Sequence, residues 1–178
     1  MTEIYLDNAS TTRPSPAVRE VMLACLEEAY GNPSSLHRTG VEAENIIKKA
    51  QGSVAELRKV REKEIFFTSG GTESNNWAVL GAARARKRQG RHVITSAVEH
   101  PSVSAPMAQL KDEGFELTVL PVDSRGLVDP EDLKAALRPD TVLVSLMAVN
   151  NELGSIEPIE ACGAEIRRHG GVTAFHVR

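Results

Sequence analysis

Strand-like and helix-like patterns alternate along almost the whole of this 178-residue chain, and that alternation leaves few architectures open. Short apolar runs fall at 65–68, 92–96, 116–120, 142–147 and 172–177. The segments between them, at 73–88, 102–113, 130–137 and 159–169, have helical character. Upstream, Ser15 stands before Pro16 as a cap before a first-turn proline. Val18, Val21, Met22, Cys25, Leu26 and Ala29 then mark one helical face, closed by Gly31. Ala43, Ile46, Ile47, Ala50, Val54 and Leu57 mark a second helix, mildly interrupted by Gly52. Strands joined by helices predict an α/β fold with a mainly parallel sheet covered by helices on both faces. Ligands of such sheets sit beyond the carboxyl ends of the strands. The loops at 69–72, 97–101 and 148–154 are therefore the places to look for a site.

The first of these loops opens Ser69-Gly70-Gly71-Thr72-Glu73-Ser74-Asn75-Asn76. A strand, a glycine turn and a helix start leave free backbone N–H groups, and the helix dipole adds about half a positive charge there. Glycines admit an anion close to the backbone, and the hydroxyls of Ser69, Thr72 and Ser74 are further candidate donors. No Gly-Lys-Ser/Thr follows, which excludes a nucleotide P-loop and favours a phosphorylated cofactor. The second loop carries Glu99-His100-Pro101 and the third Asn150-Asn151-Glu152-Leu153-Gly154. A histidine, paired amides and an anion cradle are the ingredients of one pocket.

Bulk properties exclude several classes. A net charge of −3 gives no whole-chain reason for a nucleic-acid or anionic-membrane partner. The basic run Arg84, Arg86, Lys87, Arg88 and Arg91 reads as the solvated end of a helix. Cys25 and Cys162 make neither a disulfide framework nor a metal pattern, and both read as structural; no metal site is expected. The polar start and the lack of a membrane-length apolar run lead to the expectation of a cytoplasmic protein.

The motifs taken together resemble the cysteine desulfurases, pyridoxal-phosphate enzymes of the class V aminotransferase group. The resemblance is carried by Tyr5-Leu6-Asp7-Asn8-Ala9-Ser10-Thr11-Thr12, Gly31-Asn32-Pro33-Ser34-Ser35-Leu36-His37, the 69–76 cradle, Ser96-Ala97-Val98-Glu99-His100-Pro101, Leu120-Pro121-Val122-Asp123 and the 150–154 loop. The cradle and Glu-His-Pro look like the nitrogen-fixation and housekeeping iron–sulfur branch. The resemblance implies a fold-type I large domain, pyridoxal 5'-phosphate as cofactor, L-cysteine as substrate and a homodimer. It also implies an iron–sulfur scaffold or other protein as sulfur acceptor. Residue by residue, it implies that Gly71 and Thr72 hold the cofactor phosphate and that His100 stacks on the pyridine ring and moves protons. The resemblance further implies that Asn151 lies beside the phenolic oxygen and the substrate carboxylate. It matches Asn8, Ala9 and His37 to segments that line the substrate side or the dimer seam in the family.

The chain also departs from the family. Where the strand Ala174-Phe175-His176-Val177 is followed in the family by an aspartate that pairs with the pyridine nitrogen, this chain has Arg178. Two unit charges about 4 Å apart interact by roughly 4 kcal/mol at an effective dielectric of ~20, so the sign change matters. The cofactor-linking lysine, the carboxylate-clamping arginine and the mobile-loop cysteine have no counterpart among these residues. The expectation is an incomplete large domain over 1–178, without the small domain and inactive by itself, arising from a frameshift, an interrupted gene or an incomplete gene model. The strand at 172–177 is expected to be buried on both faces. Two other functions remain open: a non-catalytic binding or interaction fragment, and a selenocysteine-lyase-like class V enzyme.

Overall fold

The computed structural model describes residues 4–178; Met1–Glu3, part of the polar start read above, lie outside the described residues. The chain divides into two units, Met1–Phe67 and Thr68–Arg178.

The first unit holds α1 (Pro16–Glu27) and α2 (Arg38–Arg58). Ser15 caps α1 as its sequence suggests, accepting a hydrogen bond from the Val18 N–H at 3.3 Å. The helix closes at Glu27, short of Gly31, with the Glu28 N–H bonded back to Ala24. His37 caps α2 through its ring, Nδ1 accepting from the Gly40 N–H at 3.3 Å. Gly40 is obligatory there, because a Cβ would meet the Ser35 carbonyl oxygen at 2.3 Å. Gly52 does not break α2, which runs on to a left-handed Lys59. Among the described residues the strand expected at 65–68 does not form: a short 3-10 turn, Glu62–Glu64, precedes it and the segment pairs with none of the four strands of the sheet. Gln51 explains part of this. Its Nε2 donates to the Ile65 carbonyl at 2.8 Å and to that of Glu62 at 3.1 Å, satisfying acceptors a neighbouring strand would otherwise use.

The second unit is a four-stranded, all-parallel sheet. Its strands are β1 (His92–Ser96), β2 (Glu116–Leu120), β3 (Thr141–Leu146) and β4 (Ala174–Val177), in the order β2-β1-β3-β4. Ile94 pairs with Val144, and Val144 with Phe175. Helices α3 (Gly71–Ala85) and α4 (Pro101–Asp112) cover one face, where Val79, Ala83, Val103, Met107 and Leu110 bury against Val93 and Leu143. Helices α5 (Pro130–Ala136) and α6 (Ile159–His169) cover the other, where Leu133, Cys162 and Ile166 meet Ile94, Val144 and Leu146. The α/β reading therefore holds, with the expected helices starting or ending within a few residues of their observed bounds.

β3 is buried throughout, as a central parallel strand should be. β4 is shorter than the expected 172–177 and is half-buried rather than buried on both faces, because it is an edge of the sheet among the described residues. The basic run is used structurally: Arg84 forks onto Glu113, and Arg86 Nε donates to the Val172 carbonyl at 2.9 Å. Truncating the centre of the sheet should be costly. Leu143→Ala is expected to destabilise the second unit by about 2–5 kcal/mol, read as a lowered urea midpoint with an unchanged slope.

Candidate functional site

Three features of the second unit meet at the carboxyl ends of β1, β3 and β4. The first is the start of α3. Gly70 precedes it and offers no side chain to cap, so the first-turn N–H groups of Gly71, Thr72 and Glu73 are left for an outside acceptor. A Cβ built on Gly70 or Gly71 meets nothing within 4 Å, so the space before the helix is open. The neighbouring hydroxyls are mostly occupied. Ser69 donates both its N–H and its Oγ–H to Glu73 Oε2 at 2.7 Å, and Ser74 Oγ lies 2.6 Å from Thr68 Oγ1. Those contacts brace the loop, and the Ser69 bonds hold the Glu73 carboxyl below its usual range. Thr72 is the cradle hydroxyl that carries no such brace.

The second feature is a cavity of about 310 Å3 between the loop after β1 and the loop after β3, lined by Glu99, His100, Pro101, Asn150, Asn151 and neighbouring residues. His100 caps α4 with its own ring, Nδ1 accepting from the Ser102 N–H at 3.0 Å. Asn150, buried, ties the two loops together: Nδ2 donates to the Val98 carbonyl at 3.2 Å, and Oδ1 accepts from the N–H groups of Glu152 and Leu153. Asn151, next along, is exposed at the cavity wall. Of the paired amides, one therefore builds the turn and the other faces outward. Gly154 completes the loop with a φ of +74°, which a glycine adopts without strain.

The third feature is charge. Arg178 extends the β3–β4 ladder, its N–H bonded to the Leu146 carbonyl, and its Nη1 reaches Asn151 Oδ1 at 3.4 Å. The guanidinium is thus on the cavity side. Glu99 lies within its electrostatic reach, and neither Glu99 carboxylate oxygen has a hydrogen-bond partner of normal geometry. Burial pushes the Glu99 pKa up to about 7, and the nearby Glu157 carboxylate adds to the rise. Backbone N–H groups of Met147 and His100 and the Arg178 charge pull it back. Cys162, fully buried under β3, has its thiol pushed up to about 11 by burial, so it is no nucleophile at neutral pH.

The cradle and the histidine are joined. Asn75, one helical turn beyond Gly71, donates from Nδ2 to Ser102 Oγ at 2.8 Å, and that oxygen sits 2.8 Å from His100 Nδ1. Gly71, Thr72, His100 and Asn151 all belong to the second unit; Asn8, Ala9 and His37 belong to the first, where Asn8 shares a turn with Asp7 and His37 caps α2. Asn75 and Ser102 carry no role that the sequence motifs indicate. Their spacing, four after Gly71 and two after His100, was the available signal.

The sequence profile of the aminotransferase class-V family matches residues 4–176. The chain belongs to that family. Its curated relatives within it include the NifS/IcsS protein homolog of Lactobacillus delbrueckii subsp. bulgaricus, 50% identical over 174 residues, covering 98% of this chain and 45% of the relative. The cysteine desulfurase IscS of Dictyoglomus turgidum is 51% identical over 158 residues, covering 89% and 40%. Among solved structures, a NifS-like protein superposes with a TM-score of 0.95 at 41% identity, over 99% of this chain and 48% of that one. DndA from Streptomyces lividans gives 0.84 at 40% identity, over 98% and 48%. This chain therefore spans less than half the length of these class-V relatives.

The raised Glu99 pKa carries a stability consequence. The folded state keeps a proton on Glu99 that the unfolded chain gives up near its ordinary value of 4.5, so stability falls as pH rises from there to about 7 and then levels. Glu99→Gln is expected to stabilise the second unit above pH 7 by about 1–3 kcal/mol and to change little below pH 4. Urea midpoints of parent and variant across that range check it; a gap independent of pH would contradict it.

Proposed function

We propose that this chain supplies the phosphate-holding and ring-stacking wall of a pyridoxal-phosphate-dependent cysteine desulfurase, an enzyme that converts L-cysteine to L-alanine and carries the sulfur as a persulfide for iron–sulfur cluster assembly. The observation that carries the reading is the open glycine start of α3, bonded through Asn75 and Ser102 to a histidine at the mouth of the cavity. The relatives named as cysteine desulfurases support the same activity.

The cofactor, when bound, would act as an electron sink for bonds broken at the substrate α-carbon. The N–H groups of Gly71 and Thr72 hold its phosphate, which needs several donors because it is dianionic near neutral pH. His100 stacks on the ring and moves a proton at Nε2. Asn151 orients the phenolic oxygen and the substrate carboxylate. Asn8, Ala9 and His37 line the substrate side or the dimer seam. Homodimer formation, a protein sulfur acceptor and a cytoplasmic setting belong to the same proposal.

The phosphate end of the site fits pyridoxal phosphate, and the Arg178 end does not. A cation at the carboxyl end of β4 opposes a protonated pyridine nitrogen instead of pairing with it. The lysines of the second unit also lie far from the cavity. Lys87 follows the last turn of α3, about 20 Å from Gly71 along the helix, and Lys111 is about 15 Å along α4 from His100. Lys134 is engaged with Glu131 on α5 at 2.8 Å. The 178 residues by themselves are therefore expected to form no alanine from cysteine.

A chimera tests the reading. This chain replaces the matching residues of the Lactobacillus delbrueckii relative, with and without Arg178→Asp, and alanine and sulfide release are assayed on L-cysteine and L-selenocysteine. The Arg178→Asp chimera is expected to turn over cysteine, and the Arg178 form to be at least ~100-fold slower, the equivalent of about 2.7 kcal/mol. A folded, cofactor-loaded Arg178→Asp chimera that leaves cysteine intact would sink the proposal.

A further inference from the structure

The hydrogen bonds around His100 run in one direction. The Ser102 N–H donates to Nδ1 at 3.0 Å, so that nitrogen carries no proton. Ser102 Oγ, 2.8 Å from the same nitrogen, accepts from Asn75 Nδ2 at 2.8 Å. The Ser102 hydroxyl proton then points at Nδ1, and the ring proton belongs on Nε2; the tautomer follows from the network. Asn75 and Ser102 are 6% and 8% exposed, so water does not readily take the place of either partner.

We propose that Ser102 and Asn75 are positioning residues for His100: the relay from Asn75 Nδ2 through Ser102 Oγ to Nδ1 holds the ring as the Nε2–H tautomer and fixes it to the helix whose first turn forms the cradle. Asn75 sits on α3 one turn from Gly71, and Ser102 on α4 beside the cap, so the relay crosses between the two helices. A shift of α3 at the cradle therefore displaces the ring, and the reverse. The inference rests on the reading of His100 as the group that moves protons in the cavity. The relay itself is present whatever the ring does there.

The test needs neither cofactor nor turnover, so its failure is distinct from failure of the desulfurase reading. The full 178-residue chain is labelled with 15N-histidine, and long-range proton–nitrogen spectra are recorded at pH 8.5, with His100 assigned by its loss in His100→Gln. The parent is expected to show one tautomer, with Nδ1 unprotonated and shifted by hydrogen bonding and Nε2 protonated. Ser102→Ala removes the hydroxyl, and Asn75→Asp puts a carboxylate where it takes the hydroxyl proton. Both are expected to move Nδ1 towards the position of an unbonded imine nitrogen, while Ser102→Thr keeps the parent position. Where Ser102→Ala loses its circular-dichroism signature, the near-isosteric Asn75→Asp decides. A protonated Nδ1 in the parent, or an Nδ1 that does not move in the folded variants, overturns the proposal.

Discussion

The parallel pairing of β1 with β3 is the constraint on which the second unit depends. Ile94 opposite Val144 and Thr95 opposite Ser145 put the exits of both strands at one end of the sheet. From those exits come the loop with His100 and the loop with Asn150 and Asn151. A one-residue slip of β3, which is buried on both faces, would turn Leu143 towards α5 and α6 and Val144 towards α3 and α4, so both halves of the core would have to repack. The cavity is thus a product of packing before it is a product of chemistry. Asn150 then locks the two loops by its bond to Val98.

The same end of the sheet concentrates groups that the core does not satisfy. The first turn of α3 has no side-chain cap, the half-buried Glu99 has its carboxylate oxygens buried without a normal hydrogen-bond partner, and Arg178 points its guanidinium at Asn151. Elsewhere the second unit pairs its polar groups closely, as His92 does with Thr141 and Thr118. Unmet donors, an unmet carboxylate and a cation within one small region are what a site built for a charged ligand requires. The donors suit a phosphate. The cation at Arg178 opposes a protonated ring nitrogen, and Glu99, ionised above pH 7, would offset part of that charge.

How much of this was legible in the sequence depended on how local the signal was. The ends of α6 and of β1 followed from periodicity, and the Ser15-Pro16 start of α1 from capping chemistry. The 65–68 segment is apolar enough for a strand, yet the Ile65 carbonyl is taken by Gln51, a partner fourteen residues away that no pattern announces. Asn150 and Asn151 look alike in sequence, and only the fold makes one a buried brace and the other an exposed wall. The relay from Asn75 to His100 spans residues 27 apart from Asn75 to Ser102, so it waits on the packing of α3 against α4. Motifs named the loops; tertiary contacts assigned work within them.

The proposed role of the first turn of α3 as the holder of a phosphate can be measured directly. The direct measurement is a fluorescence titration of the 178-residue chain with pyridoxal phosphate and, separately, with pyridoxal, in the parent and in Gly71→Asp, where a carboxylate occupies the open space before the helix. Saturable binding of pyridoxal phosphate is expected, with at least ~10-fold weaker binding of pyridoxal and a loss of that preference in Gly71→Asp. Equal affinity for both ligands in the parent, or an unchanged preference in Gly71→Asp, would contradict it.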